Sequence, residues 1–465
     1  LDRQTAATGE GMTEVLFSIL AFLVAISVLI AIHEFGHFWV AKKLGVKVLR
    51  YSIGFGKPLW KKTAGADKTE YVIASLPLGG YVKMLDEREG TVSEEEKHRA
   101  FNRQSVGKRF AIVFAGPAFN FLFAILAYWL MFVIGVTGIK PVIGEIEPNT
   151  PAALAGLMSG QEIVAINDKP TPIWDVAIQT IIPALVDRQA LELEVKGQDG
   201  YSQTVTLDLS DTNSDLEPGE LFAALGLKPW RPLIKPVVGT VVADSPAQQA
   251  GLQTGDEILA IDNTSIGEWG KLVEYVAARP DTDLSLKIKR QDSEQIITLH
   301  TASTTVKGKT IGRMGIGPKE VGQYPDEMKI LYRYSFLGSV TQALGQTWNN
   351  TLLTLKMIGK ILVGDISVKN LSGPINIAVY AGYSASAGLA RFMDFLAIVS
   401  ISLGVLNLLP IPILDGGHLM YYGVEIIRGK PVSEATMEIG QRIGILLLIM
   451  LMSVAFYNDI VRLLN

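Results

Sequence analysis

The chain has 465 residues, enough for several domains, and its mean hydropathy of +0.29 with only 19% charged residues points to the membrane class rather than to a purely soluble protein. A net charge of −4 gives no sign of nucleic-acid binding. With no cysteine there is no disulfide, thiolate nucleophile or cysteine-ligated metal, so a catalytic metal must rely on His, Asp and Glu.

Residues 1–12 are small and polar and read as an extension or expression scar outside the fold. Val15 to Ile32 carries no charge and is about long enough to span hydrocarbon. With no basic flank before it and no small-residue cleavage site after it, it reads as a retained span. It runs directly into His33-Glu34-Phe35-Gly36-His37. Two histidines four residues apart on a helix project to one face, about one turn apart, where both imidazoles can bind a single Zn²⁺. Glu34 falls on the adjoining face, beside the metal without being a ligand, which is the position of a general base. The plainer alternative is a pair of polar residues where a helix leaves the bilayer. An H-E-x-x-H in a chain with five histidines is an improbable accident, and ionisable groups at membrane depth are costly enough to point to function.

The loop from Ala41 to Arg109 is rich in Lys and Arg, which places it in the cytoplasm and the two histidines near the inner end of the first helix. Within it, Val46–Phe55 and Tyr71–Met84 are β-prone and bent by Gly54, Gly56, Pro77, Gly79 and Gly80. They form either an ordinary hairpin or a sheet edge near the site that holds an extended substrate by strand addition. Phe110–Ile139 is a second uncharged run. Its Gly116, Pro117 and Asn120 serve either packing or close approach to the first helix.

Residues 140 to about 318 are soluble in character and repeat at an offset of 95: Val142-Ile143-Gly144 recurs as Val237-Val238-Gly239, and Ala155-Gly156-Leu157 as Ala250-Gly251-Leu252. The repeated pattern S/T-P-A-x-x-A-G-L-x-x-G-D/Q-E-I resembles the PDZ domains of bacterial envelope proteases, whose strand order is circularly permuted. By that resemblance Leu225-Gly226-Leu227 and Met314-Gly315-Ile316 are the loops whose N–H groups face a peptide carboxylate. The copies either bind peptides in this way, or one or both are size filters or spacers that bind none.

Residues 321–394 mix amphipathic helix, such as Leu344–Ile361, with the turn Asn370-Leu371-Ser372-Gly373-Pro374, as expected of an interfacial segment. Phe395–Leu414 and Ile443–Asn458 are the third and fourth apolar runs. The third leads into Asp415. A carboxylate there is the natural third ligand for a Zn²⁺ held by two histidines, against the alternative of a helix-end carboxylate meeting water. Both helices run inward, so His33, His37 and Asp415 are expected at one depth. Asn407 either bonds backbone freed by Pro410 and Pro412 or contacts substrate or oxyanion. His418 is close in sequence but is not assigned to the metal.

H-E-F-G-H at 33–37, N-x-x-P-x-P-x-L-D-G-G-H at 407–418 and the tandem PDZ pattern between the membrane pairs resemble the site-2 protease family of intramembrane zinc metalloproteases. Ser52-Ile53-Gly54-Phe55-Gly56, Pro77 to Met84, Ala115-Gly116-Pro117 with Asn120, and Asn370 to Pro374 extend the match. The fold implied is an α-helical membrane protein of four transmembrane helices and a membrane-associated β-hairpin, with two α+β PDZ domains between helices two and three. Its segments would be 13–139 (first membrane half), 140–230 and 231–320 (PDZ domains), 321–394 (interfacial) and 395–465 (second membrane half).

The activity implied is zinc-dependent cleavage of single-span membrane proteins, such as an anti-sigma factor already trimmed in the periplasm and remnant signal peptides. The setting implied is the bacterial inner membrane, with the PDZ domains and both termini periplasmic and the active site toward the cytoplasmic leaflet. One Zn²⁺ per chain would be held by His33, His37 and Asp415, with Glu34 as catalytic acid/base. Asn407, Pro412, Gly54, Gly56, Asn370 and Pro374 would handle substrate. Partners would be the bilayer, the single-span substrates and peptide ligands of the PDZ domains, with no nucleic acid. A PDZ scaffold with a vestigial metal site and a transporter are the other classes; the absence of an inverted repeat disfavours the transporter.

Overall fold

The computed structural model describes residues 9–212, 220–306, 309–319 and 324–464, so residues 1–8 of the N-terminal extension lie outside the described residues. Two compact units are formed. One contains residues up to Thr137 together with Leu331–Arg462; the other contains Gly138–Thr212 and Glu220–Ile330.

In the first unit, four helices among the described residues are long and apolar enough to cross a membrane, over Thr13–Lys43, Val106–Ile134, Leu389–Leu408 and Glu434–Arg462. They lie in α1 (Gly9–Lys43), α2 (Val106–Ile134), α5 (Leu389–Leu408) and α7 (Glu434–Leu464). Between them come β1 (Val48–Ala64) and β2 (Thr69–Met84), α3 (Phe336–Val363), α4 (Pro374–Ser386) and α6 (Asp415–Arg428).

Small residues set the helix packing. Ala124, Ala127 and Tyr128 of α2 bury against Ala343 of α3 and Ala397, Ile401 and Val405 of α5. With only a methyl group at the alanine contacts, backbones approach closely enough for dispersion and polar contacts to hold helices together in an apolar medium.

The third span stops at Leu408, not Leu414. Pro410 and Pro412 cannot donate the next helical hydrogen bonds, so the chain turns and restarts at Asp415. Asp415 is therefore the first residue of a separate helix rather than the inner end of the third. The turn folds tightly back on α6: a Cβ on Gly416 would lie 2.2 Å from Leu409 O, and one on Gly417 would lie 2.4 Å from Ile411 O. The fourth span begins at Glu434, not Ile443, because the polar residues through Arg442 keep helical geometry. Likewise α3 extends the expected Leu344–Ile361 segment in both directions and ends on Gly364 in the left-handed conformation.

The hairpin is more elaborate than two straight strands. Ser52 pairs with both Tyr81 and Val72, and Val72 also pairs with Lys61, so the two bent strands lie as four segments in the order 58–64, 69–74, 50–53, 80–84. Gly54 and Gly56 (φ +92° and +88°) make the bend in β1.

The second unit contains the repeat twice over. Each copy has a four-stranded antiparallel sheet: Lys169–Pro170, Glu162–Ile166, Leu191–Lys196, Ser202–Leu207 in the first, and Thr264–Ser265, Glu257–Ile261, Asp283–Arg290, Ser293–His300 in the second. Each also pairs two short strands, Ile143–Ile146 with Leu227–Pro229, and Val238–Val241 with Ile316–Pro318. The sheet register shifts at the same place, between Ile163 and Ala165 and between Ile258 and Ala260. Thr150 and Ser245 cap equivalent short helices, each followed by proline. The second copy adds a hairpin, Ala302–Val306 with Lys309–Arg313.

Candidate metal centre

Three side chains from two distant stretches of sequence meet in the first unit. His33 Nε2 and His37 Nε2 lie 3.2 Å apart. Asp415 Oδ2 stands 3.1 Å from the first and 3.5 Å from the second. This is the one group of three or more His, Asp or Glu donors able to share an ion among the described residues. Ligands about 2.0–2.2 Å from a tetrahedral ion stand about 3.3–3.6 Å from one another, so the spacing suits a small divalent cation. Asp415 Oδ2 is buried and meets no donor in hydrogen-bond geometry. Three electron-rich atoms facing one another in a largely buried group repel unless a cation or proton lies between them, and the residues therefore fit zinc.

The helices that frame this group are shaped for it. A Cβ on Gly36 would lie 2.3 Å from Ala115 O, so the glycine inside the histidine motif lets α1 rest directly on α2. A Cβ on Gly116 would lie 2.3 Å from His37 Nε2 and 2.8 Å from His33 Cε1, so α2 likewise yields space to both rings. His37 Nδ1 donates to Ile112 O at 2.9 Å, which leaves Nε2 as the lone-pair nitrogen. Asn120, fully buried one turn beyond Gly116, places its amide 3.2 Å from His33 Nδ1.

Glu34 is half-buried next to these donors, and its Cγ would be 2.9 Å from a Cβ on Gly80. The edge segment 80–84 of the hairpin thus passes the carboxylate at a residue with no side chain, and it has no further strand partner among the described residues. Tyr51 OH donates to Ala31 O at 2.7 Å, fixing the hairpin to α1 one turn before Glu34. Burial pushes the Tyr51 hydroxyl well above its ordinary pKa, so it remains a donor.

Behind Asp415, α6 carries His418, Tyr421, Tyr422 and Glu425 along a cavity of about 410 Å³ that Arg88 and Arg109 also line. Arg109 of α2 donates to Glu425 at 2.6 Å and lies over the Tyr422 ring, which anchors α6 to α2. Burial lowers the pKa of His418, keeping it neutral.

The other expected residues fall in different places. Asn407 and Pro412 are half-buried in the last turn of α5 and the following turn, and a Cβ on Gly440 of α7 would lie 3.4 Å from the Pro412 ring. Gly54 and Gly56 sit in the hairpin bend. Asn370 and Pro374 are not brought to the metal group. Their turn is pinned to the other end of α7, where Asp459 accepts from the N–H groups of Gly373, Ile375 and Asn376 at 2.9, 2.9 and 3.0 Å. Asn458 donates to Val368 O and Leu371 O nearby. From Gly440 to Asp459 is roughly 28 Å of helix.

The two apolar-Gly-apolar loops occupy equivalent positions. A Cβ on Gly226 would collide with Thr150 and one on Gly315 with Ser245, while Leu225, Leu227 and Met314 are buried and Ile316 half-buried. In the first copy the Gly226 N–H is already donated to Ala223 O, so it does not face outward as a carboxylate donor. The cause is the short helix Leu221–Leu225, which Gly226 terminates in the left-handed conformation.

The profile of peptidase family M50 matches residues 21–451. The chain belongs to peptidase family M50. It is a metalloprotease. Regulator of sigma-E protease RseP of Escherichia coli K12 is 44% identical over 454 residues, covering 97% of this chain and 100% of that protein. A Vibrio cholerae protein whose name describes a zinc metalloprotease is 43% identical, covering 97% of this chain and 100% of its own length. Among solved structures, the PDZ domain of the SdrC-like protein of Listeria monocytogenes is 20% identical, with a TM-score of 0.16, over 20% of this chain and 90% of that one.

Asn120 and Gly116 enter the sequence reading as residues for packing or close approach to the first helix, with no role toward the metal. Their spacing with Ile112, four residues apart each time, is the signal that one face of α2 backs both imidazoles.

Proposed function

We infer that the chain is an intramembrane endopeptidase that cuts single-span membrane proteins beside a zinc ion held by His33, His37 and Asp415. The observation that carries this reading is the convergence, next to Glu34, of two ring nitrogens on α1, a helix of membrane-spanning length, with a buried carboxylate oxygen at the start of α6 that meets no hydrogen-bond donor. The chemistry such an ion supplies is Lewis acidity toward a peptide carbonyl and a water.

The residues of the chain do the rest. Glu34 takes the proton of the attacking water and passes it to the leaving amine. A substrate helix must first unwind, because its carbonyls are occupied by its own hydrogen bonds. The edge segment 80–84, passing Glu34 at Gly80, offers main-chain groups to the extended form. The Gly54–Gly56 bend keeps that edge in place. Asn407 and Pro412, on the turn leading into Asp415, handle the unwound stretch, and Asn370 and Pro374 act at the far end of α7.

The two repeats are PDZ domains that restrict access, favouring substrates whose outer domain has been removed. Anti-sigma factors and remnant signal peptides are the substrate classes that fit. The setting is a bacterial inner membrane, with the repeats and termini outside and the site toward the cytoplasmic leaflet. The test is cleavage of a single-span substrate in detergent with and without a chelator, the product mapped by mass. Chelator-sensitive cleavage within the span is expected. Cleavage that ignores the chelator would overturn the reading.

A further inference from the structure

His33 contributes Nε2 to the converging group, since that atom lies 3.1 Å from Asp415 Oδ2 and 3.2 Å from His37 Nε2. A neutral imidazole carries one N–H, so a lone pair on Nε2 requires the proton on Nδ1. As placed, the group facing Nδ1 is the Asn120 amide nitrogen, at 3.2 Å. Two donors would then face each other in a fully buried position. Meanwhile Asn120 Oδ1 is buried and meets no donor. The oxygen and nitrogen of an amide exchange places by a half-turn about the Cβ–Cγ bond, which brings the unsatisfied oxygen to Nδ1.

We propose that Asn120 is a positioning residue whose amide oxygen accepts the Nδ1–H of His33, thereby fixing the tautomer and ring angle that turn Nε2 toward Asp415 and His37. The half-turn sacrifices only the contact to Nδ1 that it replaces. His37 shows the same arrangement already complete, its Nδ1–H donated to Ile112 O on the same helix. Ile112, Gly116 and Asn120 recur every four residues, so one stripe of α2 supplies an acceptor, a gap and an acceptor. Ser400 of α5 donates to the Asn120 main-chain oxygen at 2.8 Å, which holds this point of the stripe from the opposite side.

The proposal rests on the reading of His33, His37 and Asp415 as zinc ligands, and the experiment separates the two. Zinc affinity is measured by chelator competition on the full chain in detergent, for the parent, Asn120→Ala and Asn120→Asp, with melting of the zinc-stripped proteins as the control for folding. A carboxylate accepts but does not donate, so Asn120→Asp is expected to bind zinc within a few-fold of the parent or tighter, while Asn120→Ala binds about 10–100-fold more weakly. A purely structural role predicts the reverse, because a second buried carboxylate disturbs packing more than a methyl does. Asn120→Ala with the parent's affinity, or Asn120→Asp as weak as Asn120→Ala at unchanged stripped-protein melting, overturns the proposal alone. A parent that holds no zinc overturns the ligand reading with it. If substitution unfolds the stripped protein, the His33 Nδ1–H proton of the zinc-loaded parent decides: a downfield-shifted, exchange-protected proton supports an acceptor at that atom, and an Nδ1–H without a hydrogen-bonded shift refutes the proposal.

Discussion

Gly36→Ala sets two effects of opposite sign against each other. Helix propensity alone favours alanine by about 1 kcal/mol in a helix interior. The added methyl, however, would stand 2.3 Å from Ala115 O, 2.8 Å from Ala115 C and 3.0 Å from Phe119 Cβ. Comfortable non-bonded separations are about 3.5–4.0 Å, so α1 and α2 must part by about 1 Å, since the obstructing atoms are largely backbone. Overpacking of this kind costs about 1–3 kcal/mol, enough to cancel the propensity gain or outweigh it. The same displacement stretches His37 Nδ1–H···Ile112 O from 2.9 Å beyond hydrogen-bonding range. Losing such a partner behind a ligating histidine typically weakens metal binding about 10–100-fold. Zinc affinity by chelator competition and thermal melting of the same preparation read both effects. A variant that melts higher than the parent and binds zinc as tightly would refute the claim that backbone contact between α1 and α2 sets the site.

Glu34→Gln should keep zinc yet lose about 10²–10⁴-fold or more in turnover, whereas His37→Ala should lose both; near-normal turnover in the first would remove Glu34 as the base. Asp459→Ala orphans three N–H groups at the start of α4 and should lower the melting temperature while leaving zinc content intact, because the clamp is remote from the donors; zinc loss at unchanged melting would contradict that separation. Deleting residues 140–318 should relax substrate selectivity without abolishing chemistry. A folded, zinc-loaded but inert remainder would show that the repeats do more than filter.

The metal group was legible because it depends on short-range spacing and on charge placement. H-E-x-x-H puts two imidazole donors on one helix face, and Asp415 stands out at the end of an uncharged run. The helix carrying Asp415 was less legible: hydropathy runs on through Ile413 and Leu414, but Pro410 and Pro412 end the α-helical hydrogen bonding before it. Strand signals located the hairpin, yet the pairing of Ser52 with both Tyr81 and Val72 follows from a doubling-back that no local pattern encodes. Asp459 lies just past the expected fourth run, Ile443–Asn458, and no local pattern marks it as a cap. Its partners lie at 373–376, and a cap formed across that sequence distance is a tertiary fact.

Zinc content of the purified parent, Asp415→Ala and Asn407→Ala proteins, measured side by side per mole of chain, bears most directly on the convergence of His33, His37 and Asp415. One zinc per chain is expected in the parent and in Asn407→Ala, with little or none in Asp415→Ala. Stoichiometric zinc in Asp415→Ala would contradict the account.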